Sequence, residues 1–259
     1  MGTIAITGAA SGIGKVTRER LEADGHRVIG VDLHDTEVTA DLSTPEGRAA
    51  MVAGVTEASG GALDGLVAGA GVSGAPGEVV ASVNYFGAVA TLEGLRPLLA
   101  KGTNPSAVAI SSNSTSTQPG YDLAVVDACV AGDEAEARRL AEPDASGVTI
   151  YPATKVALAR WVRHQAVAEP WIGAGIRLNA VAPGFIATPM TAGLADVVME
   201  LGDVYPIPIG RPGRPEEVAG LLAYLLGPEA GFFVGSVVFM DGGTDAKVRP
   251  DDWPAPIPG

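Results

Sequence analysis

The chain has 259 residues, of which 47% are apolar and 18% are charged. This apolar content can fill a large core, so general disorder is excluded, and the length allows one large α/β domain or two small ones. The 30 acidic and 17 basic residues give a net charge of −13, which argues against a nucleic-acid partner and against binding to anionic membranes.

Cysteine is represented by Cys129 alone, which excludes an internal disulfide and any site that needs several thiolates. The three histidines lack zinc-type spacing, so we expect no metal site. No basic segment precedes the first apolar run, and no apolar stretch is long and continuous enough to cross a bilayer. These features predict a cytoplasmic protein with no membrane partner.

Short apolar runs alternate with stretches of helical periodicity along the chain. The apolar runs predict strands at 3–7, 27–31, 63–68, 106–111, 175–181 and 236–240. Helices are predicted at 15–23, 44–58, 77–99, 151–168 and 215–226. Such alternation builds βαβ units, and no linker or repeat interrupts it. The sequence therefore predicts an α/β fold with a doubly wound parallel sheet of the Rossmann type, in a single domain spanning 1–259.

Two stretches do not fit a minimal alternation of strands and helices. Residues 113–149 contain a helical piece of their own, 132–142, in which Glu134 and Arg138 are spaced to pair on an exposed face. Residues 188–211 form a long connection that carries apolar side chains, namely Met190, Leu194, Val197, Val198, Met199 and Tyr205. Connections of this length are often active-site lids, although these side chains could equally pack against the body of the protein. We expect 113–149 to be a helical insert and 188–211 to be a substrate lid.

The first predicted strand runs into a glycine-rich loop that extends to Gly14. Glycine is required where the main chain turns tightly and where a pyrophosphate must approach the backbone closely. The helix that follows presents unpaired N–H groups and its positive end to such a phosphate. A plain strand-to-helix turn would explain a glycine cluster alone, but the position at the first βα junction favours a dinucleotide site. We expect cofactor contacts from Gly8, Ser11, Gly12, Ile13 and Gly14.

An acidic residue, Asp32, ends the second predicted strand, 18 residues after the last glycine of the loop. A carboxylate at this position can accept hydrogen bonds from the ribose hydroxyls of adenosine, and it repels a 2′-phosphate. Its neighbours Ser11 and Leu33 are not basic, so we predict NAD rather than NADP as the cofactor. An aspartate that only caps a turn is the alternative. Asp41 and Leu42 are expected beside the adenine, with a simple turn role as the alternative for Asp41.

Tyr151 and Lys155 are four residues apart at the start of a predicted helix, so both side chains project from one face. A tyrosine with a pKa of about 10 is a poor acid or base at neutral pH. A cation one helical turn away favours the phenolate and lowers that pKa. The spacing occurs by chance in many proteins, so it carries weight only together with the glycine loop.

The order of several short motifs resembles the short-chain dehydrogenase/reductase family over nearly the whole chain. The matching pieces are Thr7 to Gly14, Asp32, Asn84, Ile110-Ser-Ser112, Tyr151-Pro-Ala-Thr-Lys155 and Ile176-Arg-Leu-Asn-Ala-Val-Ala-Pro-Gly184, followed by Thr188. Their joint order and spacing are highly specific. The resemblance implies an oxidoreductase that acts on CH–OH groups with a nicotinamide cofactor.

The resemblance assigns catalytic roles to four residues. It implies that Tyr151 is the general acid in ketone reduction and the general base in alcohol oxidation. Lys155 would lower its pKa and hydrogen-bond the nicotinamide ribose. Ser112 would hold the substrate oxygen, and although Ser111 is adjacent, the second serine of the motif is the usual catalytic one. Asn84 would hold a water that links Lys155 to solvent, or it could be merely structural.

Further cofactor contacts are implied after two later strands. The family commonly has Asn-Asn-Ala-Gly where this chain reads Ala68-Gly-Ala-Gly71, so the asparagine's hydrogen bonds are lost while the glycines still permit a close approach. The backbone around Pro183 to Ile186 and the Thr188 hydroxyl would meet the carboxamide. The additional residues expected to contact the cofactor are Ala70, Gly71, Tyr151, Lys155, Pro183, Gly184, Ile186 and Thr188.

The distance from Ser112 to Tyr151 is 39 residues, far more than is usual in the family, and the excess is the insert. The insert and the closing stretch from Asp241 to Pro250 resemble the 3α-hydroxysteroid dehydrogenase/carbonyl reductase branch. This resemblance implies hydride transfer between a secondary alcohol and a ketone, with a small apolar substrate to which Trp253 adds apolar surface. An aryl or coniferyl-type alcohol dehydrogenase is the alternative, and a non-catalytic NAD-sensing protein is a more distant one.

The helix that carries Tyr151 forms a subunit contact in many members of the family. The resemblance therefore implies a homo-oligomer, either a dimer or a tetramer. Because the insert directly precedes this helix, we expect it to alter that interface.

Overall fold

Seven parallel strands form one continuous sheet in the computed structural model, which describes residues 1–252. The strands are β1 (Thr3–Thr7), β2 (Arg27–Asp32), β3 (Val38–Thr39), β4 (Gly65–Ala68), β5 (Ser106–Ile110), β6 (Arg177–Pro183) and β7 (Val237–Met240). Their order is β3-β2-β1-β4-β5-β6-β7, and every neighbouring pair is parallel. The prediction of a doubly wound sheet of the Rossmann type is confirmed. Trp253 lies outside the described residues.

Helices cover both faces of the sheet. The α-helices of the described residues are α1 (Gly12–Ala23), α2 (Pro45–Ser59), α3 (Gly77–Ala81), α4 (Ala88–Leu99), α5 (Ser114–Thr117), α6 (Leu123–Val130), α7 (Glu134–Ala141), α8 (Ile150–Ala166), α9 (Ala195–Glu200), α10 (Pro215–Leu226) and α11 (Thr244–Val248). Helices α1 and α10 pack together on one face and enclose one core. Helices α2, α4 and α8 cover the other face and enclose a larger core.

The bounds of α2 follow from its local sequence. The Thr44 hydroxyl accepts a hydrogen bond from the Gly47 amide at 3.0 Å, and Pro45 occupies the first helical position, where its fixed φ suits the helix. The helix ends where Gly60 adopts a φ of +68°, a left-handed conformation that glycine adopts without steric cost. Both end signals are visible in the sequence, and the prediction of this helix is confirmed.

The helix predicted at 77–99 is continuous from α3 to α4, but its middle, Ser82–Gly87, is a π-helix. Such segments are rare and often occur at functional sites. Five elements were not predicted, which are β3, α5, α6, α9 and α11. The first two contain only two and four residues. Helix α6 is apolar at every position except Asp127 and so shows no amphipathic period.

The insert packs onto the body of the protein rather than extending from it. Helices α6 and α7 contact each other, and they lie over α8 and α3 respectively. The prediction that Glu134 and Arg138 pair with each other on an exposed face is wrong. Glu134 forms a bidentate salt bridge with Arg48 of α2, and Arg138 donates to the Ser82 hydroxyl at 2.6 Å. Spacing places the two side chains on one face of α7, but that face is turned toward the protein and offers closer partners.

The strand order reverses between β1 and β4, which both lie at the centre of the sheet. The loop after β1 leads to α1 on one face, and the chain after β4 leads to α3 on the other. In open α/β sheets the crevice at such a switch point is the usual place for a ligand. The fold therefore indicates a ligand site at the carboxyl ends of these strands.

Candidate active site

A cleft with a volume of about 270 Å³ opens at the carboxyl ends of the strands. It contains every residue of the predicted site except Asn84. The predicted residues that line it are Gly8, Ser11, Gly12, Ile13, Gly14, Asp32, Asp41, Leu42, Ala70, Gly71, Ser112, Tyr151, Lys155, Pro183, Gly184, Ile186 and Thr188. Residues drawn from seven separate segments of the sequence are thus brought to one surface.

The glycine loop provides a cradle at the start of α1. A Cβ atom added at Gly14 would lie 2.0 Å from the carbonyl oxygen of Gly8, so the helix can approach the loop only because Gly14 has no side chain. Gly8 itself adopts a φ of +77°. The Ser11 side chain does not cap α1, and the first turn holds no acidic residue. The helix N-terminus therefore presents its amides to the cleft, which fits the pyrophosphate of a dinucleotide.

Asp32 ends β2 and borders the cleft. One carboxylate oxygen accepts a hydrogen bond from the Ala10 amide at 2.9 Å, and the other accepts from the Leu33 amide at 2.8 Å. The side chain thus fixes the glycine loop, and each oxygen keeps a further lone pair for a ligand. Among the described residues that line the cleft, Lys155 is the only cation. The neighbouring Arg18 is held by Glu22 and Glu37.

Asp41 and Leu42 form the wall of the cleft beyond Asp32. The Asp41 carboxylate accepts a hydrogen bond from the Ser43 amide at 2.9 Å. Hydrogen bonds from Ser43, assisted by the charge of Arg48, hold the pKa of Asp41 below its usual range. Leu42 is buried and contributes an apolar surface. Asp41 therefore stabilises a turn, which was the alternative role considered for it, and it also lines the cleft.

Helix α8 begins at Ile150 and places Tyr151 and Lys155 one turn apart at the opposite end of the cleft. Lys155 is only 4% exposed, and its Nζ donates to the Ile110 carbonyl oxygen at 2.9 Å. The same Nζ lies 5.5 Å from the centroid of the Tyr151 ring. Burial lowers the pKa of Lys155 to about 8, so the amine is still mainly protonated at pH 7.

The surroundings of the Tyr151 hydroxyl shift its pKa in opposite directions. Burial raises its pKa, a hydrogen bond with Ser112 opposes this rise, and the nearby Tyr205 adds to it. In the protein alone the phenol therefore keeps its proton at neutral pH. The Lys155 ammonium lies 5.5 Å from the centroid of the ring, but the net shift of the Tyr151 pKa is upward, so the predicted lowering of this pKa is not seen in the protein alone.

The two adjacent serines at the end of β5 point in different directions. The Ser111 hydroxyl donates to the Lys155 carbonyl oxygen at 3.0 Å and so ties β5 to α8. The Ser112 hydroxyl accepts from the Ser114 amide at 3.1 Å, and it is the serine whose hydroxyl opposes the rise in the pKa of Tyr151. The second serine of the motif is therefore the one placed beside the tyrosine, and its catalytic role stays a prediction.

Asn84 lies in the π-helix behind the cleft and is fully buried. Its amide accepts from the Val72 N–H at 2.8 Å and donates to the Val72 carbonyl at 3.0 Å. A Cβ added at Gly71 would be 3.3 Å from Asn84 Oδ1 and 3.6 Å from Lys155 Nζ, so the three residues are immediate neighbours. Asn84 therefore holds the chain that follows β4, whatever further role it has.

Sequence reasoning missed several residues that line the cleft. These are Val31, Leu33, Ala40, Val72, Val83, Ile110, Ser111, Pro189 and Thr191. Thr191 is the most informative of them. Its hydroxyl donates to the Ile186 carbonyl at 2.6 Å and accepts from the Thr188 amide at 3.0 Å, which fixes the turn that brings Thr188 to the cleft. The sequence Thr-Pro-Met-Thr is a helix-start pattern that could have indicated this turn.

The connection at 188–211 carries exposed apolar side chains. Helix α9, within this segment, has no buried residue, and Leu194 and Val197 are 48% and 56% exposed. The later part is attached to the body, because the Tyr205 hydroxyl and the Asn113 side chain exchange hydrogen bonds at 2.9 and 3.1 Å. The alternative that all these apolar side chains pack against the body does not hold for α9.

Neither a bilayer-spanning helix nor a cluster of metal ligands occurs in the described part of the chain. None of its helices combines the length and the apolar composition that a bilayer-spanning segment requires. Within residues 1–252, no three His, Cys, Asp or Glu side chains are grouped so as to hold a metal ion.

A parallel sheet with this strand order, a glycine cradle at its switch point and a Tyr–Lys pair across the cleft define a nicotinamide-dependent oxidoreductase. The chain belongs to the short-chain dehydrogenase/reductase family, which confirms the predicted resemblance. The family model "short chain dehydrogenase" matches residues 2–125, and the model "Enoyl-(Acyl carrier protein) reductase" matches residues 140–245. The unmatched gap between them falls within the insert.

Two relatives and one solved structure are similar to nearly the whole chain. The chain is 42% identical to the 3-alpha-hydroxysteroid dehydrogenase/carbonyl reductase of Comamonas testosteroni, over 96% of this chain and 99% of that one. It is 33% identical to the coniferyl-alcohol dehydrogenase of Pseudomonas sp. strain HR199, over 93% and 95% of the two chains. The crystal structure of 3-alpha-hydroxysteroid dehydrogenase from Pseudomonas sp. B-0831, complexed with NADH, superposes with a TM-score of 0.89 at 44% identity, covering 97% and 100% of the chains.

Proposed function

We propose that this protein is an NAD-dependent oxidoreductase that interconverts secondary alcohols and ketones, with 3α-hydroxysteroids and other bulky carbonyl compounds as its substrates. The observation that carries the proposal is the convergence of Ser112, Tyr151 and Lys155 on one side of a cleft whose other side is the glycine cradle. The similarity to the Comamonas and Pseudomonas B-0831 proteins supports the choice of substrate class.

The choice of NAD over NADP rests on charge. A phosphate on the adenosine ribose would face the Asp32 carboxylate, and no cation lines that end of the cleft among the described residues. Arg18 is the nearest arginine on α1, and two glutamates already hold it. A ribose with both hydroxyls free can instead donate to the lone pairs that Asp32 retains.

Each proposed catalytic residue has a distinct role. Bound NAD supplies the hydride acceptor, and the protein supplies position and proton transfer. The Ser112 hydroxyl holds the substrate oxygen and stabilises charge that develops on it. The Tyr151 Oη takes the alcohol proton in oxidation and returns a proton in reduction. The Lys155 ammonium favours the phenolate through its charge.

The segment 188–211 is proposed as the substrate lid. Met190 already lines the cleft, and Leu194 and Val197 are exposed in the protein alone. Exposed apolar side chains next to a cleft gain stability when they cover an apolar ligand. A rigid, largely apolar substrate such as a steroid would provide that surface.

A coniferyl-type alcohol is a second candidate substrate, favoured by the 33% identity to the coniferyl-alcohol dehydrogenase. The two candidates differ in shape, since an aryl alcohol would bury far less of the lid. Specificity constants for both classes, measured with the same preparation, would rank them.

We also propose a homo-oligomer whose interface avoids the surface of α8 that the insert covers. Helix α6 lies over α8, so this surface cannot pack against a second α8 without moving the insert. The mass in solution, combined with cross-linking of the assembly, tests this. A tetramer with cross-links between the α8 helices would contradict it.

The central test is an assay of the purified protein with NAD or NADP and a panel of hydroxysteroids and aryl alcohols, following the absorbance of the reduced cofactor. We expect turnover with NAD and a 3α-hydroxysteroid. Tight NAD binding without turnover of any compound would favour a sensing protein instead. Comparable turnover with NADP would contradict the charge argument at Asp32.

A further inference from the structure

One arginine connects three parts of the molecule that are far apart in sequence. Arg48, in the first turn of α2, donates from Nε to the Leu42 carbonyl at 2.8 Å. Its Nη2 donates to the carbonyl of Ser82, the first residue of the π-helix, at 3.1 Å. Both terminal nitrogens donate to the Glu134 carboxylate of the insert, at 2.6 and 2.7 Å. The side chain is only 11% exposed.

The segment that Arg48 holds is a wall of the cleft. Asp41 and Leu42 both line it, on the side away from Tyr151 and beyond Asp32. Leu42 also packs closely on the end of the π-helix, because a Cβ added at Gly87 would lie 3.0 Å from the Leu42 Cβ. The position of this wall therefore depends on contacts from α2 and from the π-helix, and Arg48 bonds to both Leu42 and the π-helix.

Glu134 keeps the arginine in this position. The planar guanidinium uses a bidentate pair with the carboxylate, which fixes its orientation as well as its charge. Burial alone would raise the pKa of Glu134, but the Arg48 guanidinium holds it below its usual range, so the carboxylate stays ionised at neutral pH. Without Glu134, a largely buried cation would keep only carbonyl acceptors and would gain by turning toward water.

We infer that the Arg48–Glu134 pair is a positioning device for the cofactor, through which the insert holds the Asp41–Leu42 wall in the shape that receives the adenosine half of NAD. This inference rests on the proposed function, because it assigns that half of the cofactor to this end of the cleft. It gives the insert a role in cofactor affinity that is separate from any role at a subunit interface.

The test compares two glutamates on the same helix. Glu134→Gln removes the charge that holds Arg48, and Glu136→Gln removes a matched carboxylate whose partner, Arg139, is exposed. Dissociation constants are measured for NADH, ADP-ribose and nicotinamide mononucleotide, and wild-type NADH binding first establishes that the proposed cofactor is bound. Hydrogen exchange of the amides at 40–44 is measured in the protein without cofactor.

For Glu134→Gln we expect NADH and ADP-ribose to bind about three- to thirtyfold more weakly. Nicotinamide mononucleotide should bind as in the wild type, exchange at 40–44 should be faster, and kcat at saturating NAD should be retained. Glu136→Gln should change none of these. Wild-type affinity of Glu134→Gln for ADP-ribose would overturn the inference, and so would an equal loss for both half-cofactors, since that would indicate a general loss of structure.

A second variant keeps the inference testable if Glu134→Gln folds poorly. Arg48→Lys retains the positive charge but cannot bond to Leu42, Ser82 and both carboxylate oxygens at once. We expect the same selective loss of ADP-ribose affinity. Because each variant breaks the same device, the double variant should lose no more than the worse single one. Additive losses would contradict a shared role.

Discussion

Replacing Lys155 with methionine should make the protein more stable and inactive at the same time. The Lys155 side chain is buried, and burial lowers its pKa to about 8 from 10.5. The unfolded chain therefore binds more protons than the folded chain between these pH values. A shift of this size corresponds to a destabilisation of about 3 kcal/mol at pH 7, of which Lys155→Met removes the electrostatic part.

The sign of the pH dependence follows from the same shift. Below pH 8 the amine is protonated in both states, and the full cost of burying the charge opposes folding. As the pH rises from 8 to 10.5, the folded protein holds a neutral amine and the cost disappears. Since the Ile110 carbonyl loses its donor in the variant, about 1 kcal/mol of the gain is offset. We expect a net gain of about 2 kcal/mol at pH 7 that falls to zero or below by about pH 10.

Urea unfolding of both proteins at a series of pH values measures this difference directly, and initial rates at saturating substrate measure the loss of turnover. A matched control is Lys101→Met, because Lys101 is exposed and outside the cleft. A stability difference between Lys155→Met and the wild type that does not change from pH 7 to pH 10 would refute the reasoning. So would a variant that is destabilised at pH 7.

Three further variants test the rest of the site. Tyr151→Phe keeps the ring, so turnover should fall about 10²- to 10⁴-fold with NADH affinity intact; an active variant would exclude Tyr151 as the acid–base group. Asp32→Ser should lower the ratio of kcat/KM for NAD over NADP about tenfold or more, and an unchanged ratio would contradict its role. Gly14→Ala places a carbon 2.0 Å from the Gly8 oxygen and should weaken NADH binding about tenfold or more, by fluorescence titration, whereas Gly220→Ala, in open space on α10, should not.

Much of the site could be predicted because its residues lie where parallel strands end. Asp32 ends β2, while Ser112 and Gly184 come just after β5 and β6. The apolar pattern identifies all three strands, and parallel strands bring their carboxyl ends to one edge. Motif order along the chain therefore translates into proximity in space. Tyr151 and Lys155 needed only helical spacing to be placed on one face.

The parts that could not be predicted depend on partners distant in sequence. Thr7 accepts hydrogen bonds from the amides of Gly69 and Ala70, at 3.1 and 3.2 Å, in the very stretch where the family's asparagine is missing. The sequence shows the missing asparagine but not the threonine that bonds to the same backbone. Likewise, the π-helical turn that carries Asn84 could not be predicted, because helical spacing predicts one continuous helix over 77–99 and does not mark where the hydrogen-bond pattern changes.

The insert shows how proximity in sequence can indicate one neighbour of a segment and miss another. It directly precedes the helix of Tyr151, so the sequence connected it with that helix and with the subunit contact made there. In the structure α6 of the insert packs on α8, and Glu134 makes a second contact, with Arg48, across 86 positions of sequence. The insert therefore contacts both α8 and α2, and a change in it can affect either contact. Shortening it around α7 should therefore alter cofactor affinity even where the subunit assembly is unchanged.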